Sequence, residues 1–478
     1  MSLRLAILLA CLVGCTPYTA TIDDVPAPED WLARPRAGGL PTPGVATKRE
    51  ARSPLQGGAR EPIPATTAEA FPIDLETALR LAGKQAVPIQ LARSRAREAG
   101  HVASEALTRV LPELRPIVSL NRIEGDVQAT RGTFVQVKKQ NSYFGGGLEF
   151  VLQPAEALFA LQAARHREHA ASERVASTAN ATYQRVAKHY FGLVADFARV
   201  RIAEDAVKAA AESLSVEQAR VEAGAGLQAA VARARARLAE ARGDVASAKS
   251  RTAVASAGLA ALLMLDGDIL LVPKIEDAGK LIELADVDEP FAKQLERALG
   301  SRPELRVAAA EVEASRSERS AQSIAWAFPE LRLGASYGSF GFNFGNTDGQ
   351  TNYWAALQWK LNVGVLPRAA AARERVLRAE LHQTLLRQQV SASLSAARAG
   401  IQAARARTAA ARGEVAAATE ALSLVQSRQR AGETTVLEVL DAQAALTRAR
   451  TNLVVAVADH NAGQYALLQA LGGARAQP

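Results

Sequence analysis

From Leu75 onward the chain uses two hydrophobic patterns in turn. Long stretches place alanine, leucine and valine every three or four residues, with arginine and glutamate between them, which is the period of an amphipathic helix. Shorter stretches alternate apolar and polar residues strictly, which is the period of a strand. The helical period predicts a helix from about Leu75 to Val110, where Pro112 stops it. Strands follow near Leu114 to Ile123 and Tyr143 to Gln153, joined by the polar, glycine-containing stretch Glu124 to Asn141. Pro154 opens a new helix in its first turn, where a missing amide donor costs nothing. The 69 residues from Pro154 to Glu222 contain no further proline, so this rod is predicted to be roughly 100 Å long. The chain turns back at Ala223 to Leu227 and runs as a helix to Leu265.

The same order then returns. A helix is predicted from Pro290 to Ala327, strands near Leu331 to Phe340 and Tyr353 to Val363, and a rod from Pro367 to Arg430, roughly 95 Å long. A turn at Ala431 to Thr434 leads into a last helix to Leu471. Two correspondences carry the duplication. Pro112-Glu113-Leu114-Arg115 recurs as Pro329-Glu330-Leu331-Arg332. Gly224, Val231, Ala234, Ala236, Leu238, Ala241 and Arg242 match Gly432, Val439, Ala442, Ala444, Leu446, Ala449 and Arg450 at one constant offset of 208 residues. Each half is a very long helical hairpin with a β-hairpin at its opposite end.

Small residues such as Ala232, Ala234, Ala236, Ala239 and Ala241, or Ala396, Ala397, Ala403 and Ala404, let helices approach closely, while arginine and glutamate keep other faces wet. That suits a wall of helices better than a solid bundle. In the strands Leu333, Ala335 and Tyr337 alternate with Gly334, Ser336 and Gly338, and Tyr353, Ala355, Leu357, Trp359 and Leu361 alternate with Trp354, Ala356, Gln358 and Lys360. Alternating faces with aromatic residues near the ends fit a membrane barrel, inside which every backbone group must be paired. Four strands cannot close a barrel, so copies of the chain must share one.

Composition agrees. The 478 residues are 5% aromatic and 22% charged with a formal net charge of +8, which excludes a disordered tail protein and disfavours a β-sandwich. The two cysteines, Cys11 and Cys15, lie close together near the N-terminus and allow no disulfide framework elsewhere. Arg4 and the apolar run Leu5 to Val13 suit a secretory signal. The run ends Leu12-Val13-Gly14-Cys15, which resembles a bacterial lipobox and implies cleavage before Cys15 and acylation of its thiol; an ordinary signal cleaved elsewhere is the alternative. Thr16-Pro17 lacks the aspartate that retains lipoproteins at the inner membrane, so the lipobox resemblance implies an outer-membrane destination. Between Pro17 and Pro72 ten prolines preclude a helix and predict an extended tether or strap. The organisation expected is a signal at 1–14, an acylated tether at 15–72, a first repeat at 73–275, a linker at 276–289, a second repeat at 290–473 and a tail at 474–478.

The paired Pro-Glu-Leu corners, the hairpin run Arg430-Ala431-Gly432-Glu433-Thr434-Thr435-Val436-Leu437-Glu438-Val439-Leu440-Asp441-Ala442 and the stretch Asn461 to Gly473 together resemble the TolC family of outer-membrane efflux ducts, in particular its lipid-anchored members. The resemblance covers about Leu75 to Gly473. It implies a mainly α fold with a small membrane β part: a homotrimer whose duplicated helical hairpins form a twelve-helix tunnel across the periplasm, joined to a twelve-stranded barrel with four strands per chain. Of four helical columns per chain, two would be the rods. Two would be stacked pairs: Leu75 to Val110 with Leu227 to Leu265, and Pro290 to Ala327 with Thr434 to Leu471. Asp266 to Glu289 would join a collar around the middle. The implied role is the exit duct of a tripartite efflux or type I secretion system, with a periplasmic adaptor, an inner-membrane transporter and outer-membrane lipid as partners. The hairpin tips at Gly224, Gly226, Gly432 and Thr434 would meet the adaptor. Family members line the tunnel's closed tip with carboxylates, and the matching positions are Glu438 and Asp441, three apart on one helix face. Thr435 to Glu438 also fits a capping box, which would make Glu438 a helix-start residue instead. The first repeat has Ala230 and Arg233 at these positions, and Arg233 is expected to pair with an acid at the closed tip.

Rival readings are weaker. Gly334-Ala335-Ser336-Tyr337-Gly338 has the letters of a nucleophile elbow but sits inside a strand with no helix after it. Gly224-Ala225-Gly226-Leu227-Gln228-Ala229 matches a dinucleotide fingerprint only by letters, since a helix precedes it where a strand is required. His166 and His169 share a helix face with no third ligand in reach, which favours a solvated surface over a metal site. No enzyme activity, cofactor or metal is expected. A periplasmic coiled-coil structural lipoprotein without channel activity is the alternative, and the β-hairpins speak against it. Arginines spread along the rods among glutamates argue against nucleic acid.

Overall fold

A computed structural model describes residues 70–130, 132–274, 279–343, 345–360, 362–431 and 433–473, all within one compact unit, Thr67–Pro478. The expected signal at 1–14, Cys15, the tether as far as residue 69, Gly432 and the tail at 474–478 lie outside the described residues. The order of elements is β1 (Ala70–Ile73), α1 (Leu75–Gln85), α2 (Val87–Thr108), β2 (Glu113–Gln128), β3 (Phe134–Leu152), α3 (Pro154–Glu222), α4 (Gln228–Leu263) and β4 (Leu270–Pro273). The second half follows with α5 (Phe291–Ser301), α6 (Pro303–Ile324), a short 3₁₀ turn, β5 (Glu330–Asn343), β6 (Asn346–Gln358), α7 (Val365–Arg430) and α8 (Val436–Ala470).

The rod α3 has the predicted bounds, and α7 begins two residues before Pro367, which still falls in the first turn. The helices expected at Leu75 to Val110 and Pro290 to Ala327 are each broken in two. Pro88 lies in the first turn of α2 and Pro303 opens α6; the residues before them, Ala86 (ψ 119°) and Arg302 (ψ 123°), leave the helical region. Proline clashes with the preceding turn and supplies no amide, so the chain restarts there. Both repeats break identically, into 11 and then 22 residues.

The helices form a layer of four columns. α3 packs against α2 and α4 along one flank and against α6 and α8 along the other, and α7 packs against α6 and α8. The columns are therefore α2 with α4, then α3, then α6 with α8, then α7, which matches the expected stacked pairs. The buried positions of α4 are Val231, Ala234, Leu238, Ala241, Ala248, Thr252, Ser256, Leu259, Ala260 and Leu263, most of them three or four apart. This spacing gives a narrow seam and leaves most of the helix circumference uncovered. Of the small residues singled out above, Ala234, Ala241 and Ala404 are buried, whereas Ala232, Ala236, Ala239, Ala396 and Ala403 remain exposed.

Larger apolar residues gather where a short helix meets a long one. Ala78 and Ala82 of α1, Val186, Tyr190, Phe191 and Leu193 of α3, and Leu259 and Leu263 of α4 form one core. Leu305, Val390, Leu394, Ile401 and Leu467 form its counterpart in the second half. At the first junction β1 pairs in parallel with β4, from Ala70 with Leu270 to Ile73 with Pro273, so the end of the expected tether, 70–72, is part of a sheet.

The main sheet is antiparallel in the order β2-β3-β5-β6. Its first hairpin is longer than predicted: most of Glu124 to Asn141, expected as a connection, is strand, and the turn is confined to the stretch closed by Ala129 N–H donating to the Thr133 carbonyl at 2.8 Å. Backbone pairing continues there although the side chains are polar.

Candidate functional site

The register gives the four-stranded sheet two unlike faces. Leu114, Val118 and Leu120 share one face with Phe144, Leu148, Leu333, Tyr337 and Leu357, and most of these side chains are exposed. The other face carries Arg115, Asn121, Asn141, Glu149, Ser336 and Asn352. There Trp354 covers its cross-strand partner Gly334, where a methyl group would fall 2.1 Å from the ring, and Tyr143 covers Gly338. Side chains at these glycines would displace the rings. The outer edges of β2 and β6 pair with nothing among the described residues.

A row of charges crosses the polar face at its helical end. Glu113 pairs with Arg115 (3.0 Å), Arg115 with Glu149, Glu149 with Arg332 (3.3 Å), Arg332 with Glu330 (3.3 Å), and Glu330 with Lys360. Glu149 and Glu330 are nearly buried, while Glu113 and Lys360 at the two ends are largely exposed. The row thus ends in an acid beside one free edge and a cation beside the other.

At the opposite end of the molecule the first hairpin turns through Gly224 (φ +73°). Its N–H donates to the Val221 carbonyl and that of Ala225 to Arg220, both at 2.9 Å, which closes α3 in a Schellman motif. Gly226 lies so near this helix end that a Cβ would fall 2.8 Å from Val221 N. In the second hairpin Glu433 N–H donates to the Arg428 carbonyl at 2.9 Å, the equivalent bond. Thr434 is buried and donates through Oγ1 to Glu438. Thr435 is the N-cap of α8 but makes no side-chain capping bond, so the alternative capping box does not form. Glu438, Asp441 and Arg233 are exposed, and no ion pair among the described residues joins Arg233 to an acid.

Buried polar side chains tie the hairpins together near their tips. Glu217 of α3 accepts from Gln429 of α7 at 3.0 Å, and Gln443 of α8 donates to Ser213 of α3 at 3.0 Å. The three-and-four spacing of Val436, Val439, Gln443 and Leu446 marks Gln443 as a seam residue. That signal was available in the sequence.

Farther along α8, His460, Asn461 and Gln464 are buried and hold the segment 279–290 by its backbone. Asn461 accepts from Ile282 N–H (2.9 Å) and donates to the Lys280 carbonyl (2.8 Å), Gln464 accepts from the N–H groups of Leu284 and Ala285, and His460 Nε2 lies 3.2 Å from the Ile282 carbonyl. Arg398 and Arg405 of α7 hold the same segment through the Glu289 carbonyl and through Glu283 and Asp288. Most of this segment falls within Asp266 to Glu289, the stretch expected in a collar.

Gly334 to Gly338 lie within β5, and Gly224 to Ala229 span a helix-to-helix turn, so neither letter pattern has the setting its chemistry needs. His169 lies 3.9 Å from Glu173, and among the described residues no three His, Cys, Asp or Glu side chains are placed to hold a metal ion. Among the same residues no helix is long and apolar enough to cross a membrane.

A family model described as outer membrane efflux protein matches residues 80–263 and 294–473, one match in each half. Among solved structures the chain is similar to CusC, with a TM-score of 0.71 and 20% identity over 84% of this chain and 92% of that one. It is similar to the CmeC outer membrane channel of Campylobacter jejuni (TM-score 0.72, 14% identity, 84% of this chain and 87% of that one). The outer membrane protein VceC of Vibrio cholerae is a third (0.69, 18% identity, 84% and 96%). At these identities the likeness is one of fold. No curated protein sequence is a match for the chain.

Proposed function

The chain belongs to the outer membrane efflux protein family, and from that premise we propose that three copies close one outer-membrane barrel and one periplasmic tunnel, serving as the exit duct of a tripartite efflux or type I secretion system. A protein of this family is a channel, not an enzyme. The observation that carries the trimer is the four-stranded sheet with two long edges unpaired among the described residues, an apolar and a polar face over its helical half, and too few strands to close. Lipid demands that both edges be paired, and an apolar exterior with a polar interior is what a barrel wall needs. A coiled-coil structural lipoprotein would have no use for such a sheet.

In this reading Cys15 carries the acyl chains, palmitate among them, that anchor the mature N-terminus in the outer membrane. The tips at Gly224, Gly226, Gly432 and Thr434 meet the periplasmic adaptor, through which the duct joins an inner-membrane transporter. Glu438 and Asp441 of three copies ring the periplasmic opening, with Arg233 of a neighbouring copy as counter-ion. What supports that last assignment is that Arg233 is exposed and forms no ion pair among the described residues.

Detergent extraction of the full chain should yield a heat-modifiable trimer that conducts ions in a planar bilayer; a monomer without conductance would overturn the proposal. In the same bilayers Arg233→Ala should raise the single-channel conductance by loosening the closed tip, and an unchanged conductance would remove Arg233 from the gate.

A further inference from the structure

The helical wall contains an open groove of about 720 Å³ near its sheet end, lined by all four columns: α2, α3, α6 and α7. One groove reaches both outermost columns only where the wall is concave, so the groove marks the concave side. Under the trimer reading, on which this inference rests, that side faces the tunnel.

The groove is strongly basic. Arg95 comes from α2, Arg167 and Arg174 from α3, and Arg375, Arg378 and His382 from α7. The two arginines of α3 are matched by acids of α6, Arg167 by Glu318 and Arg174 by Glu311. Arg95, Arg375 and Arg378 form no ion pair among the described residues, and the only other acid on the lining is Glu98. The spacing of Arg375, Arg378 and His382 puts all three on one stripe of α7. Alanines 99, 164, 170, 171, 314 and 379 form the floor, so the charges stand over a surface of small side chains. Guanidinium keeps its charge at any physiological pH and offers a planar fork to carboxylate, sulfonate or phosphate oxygens.

We propose that this groove is an anion-selective belt of the tunnel and that the cargo includes anionic organic molecules, bearing carboxylate, sulfonate or phosphate groups. Three copies set nine unpaired guanidiniums around one passage, and a concave wall of low dielectric focuses their field on whatever passes. The belt lies far from the carboxylates of the tip, so the passage has opposite charge preferences at two heights. A width-limited duct would treat cations and anions of equal size alike; this one discriminates.

The test uses the full chain in detergent and in bilayers. Arg95→Gln, Arg375→Gln and Arg378→Gln together remove the charge from exposed helix positions while keeping good helix formers; a matching triple lysine variant keeps the charge and alters only the shape. In a potassium chloride gradient the glutamine variant should shift the reversal potential toward the cation side, and the lysine variant should not. Equilibrium dialysis against pyrene-tetrasulfonate should show roughly tenfold weaker binding by the glutamine variant at low salt, the difference shrinking as salt screens it. A cationic dye of similar size should bind no better to the wild type than to the variant. Equal reversal potentials and equal sulfonate binding for wild type and glutamine variant would overturn the belt. A silent bilayer would count against the channel itself and leave the dialysis to decide the belt.

Discussion

Asp74 shows how much one side chain can organise at a junction. Its carboxylate accepts from the amide of Thr77 at 2.8 Å as the N-cap of α1 and meets Lys274, just past β4, at 3.1 Å. Hydrogen bonds from Thr77, with Lys274 adding to them, hold its pKa down to about 2 from 3.8. The folded form therefore binds the proton less readily than the unfolded chain. Its contribution is complete above about pH 4 and lost as the pH falls toward 2. Asp74→Ala should cost about 1 kcal/mol of stability at neutral pH. Thermal melts of wild type and variant should converge across that acid window, and a constant gap would contradict the assignment.

Among the elements, α8 combines packing with recognition of backbone. Its buried His460, Asn461 and Gln464 satisfy the amides and carbonyls of a segment that has no regular structure of its own. Asn461→Ala should cost about 1–3 kcal/mol, because it strands a buried amide and carbonyl at once. Hydrogen exchange within 279–290 should accelerate with it. Burial lowers the pKa of His460 below its ordinary 6.5. The neutral ring is therefore the stable partner of Ile282, and its contribution is present above about pH 6.5 and fades as the pH falls below it. Protection factors in this segment, taken against the intrinsic exchange rate at each pH, should fall on mild acidification, and His460→Gln should blunt that response. None of this could be read from the chain, since a polar residue on an apolar stripe does not reveal which distant carbonyl it meets. The rods could be read, because Pro154 and the long proline-free run state their own limits. Pro88 and Pro303 were legible breaks, outvoted by alanine-rich surroundings. The outer part of the first β-hairpin was hidden because Glu124 to Asn141 pair through backbone, which side-chain alternation does not report. At the tip the bond from Thr434 to Glu438 was hidden, because a hydroxyl among several polar neighbours does not reveal its acceptor.

At the scale of the whole molecule, the four-stranded sheet leaves both outer edges unpaired among the described residues. Its charge row ends in Glu113 beside one unpaired edge and Lys360 beside the other, so copies arranged head to tail around a ring bring opposite charges together at each seam. Lys360→Glu should lower the temperature at which the trimer dissociates on heated gels. Adding Glu113→Lys should recover part of the loss, and a double variant no better than the sum of the singles would place the two residues apart. The two proline joints have a mechanical consequence as well. Half of the columns are jointed at Ala86 and Arg302, whereas α3 and α7 run unbroken from sheet to tip. A stiff lever of roughly 100 Å turns a tilt of about 5° into a sweep of about 9 Å at its far end. Any tilt of the wall is therefore carried by α3 and α7, which have no joint at which to absorb it.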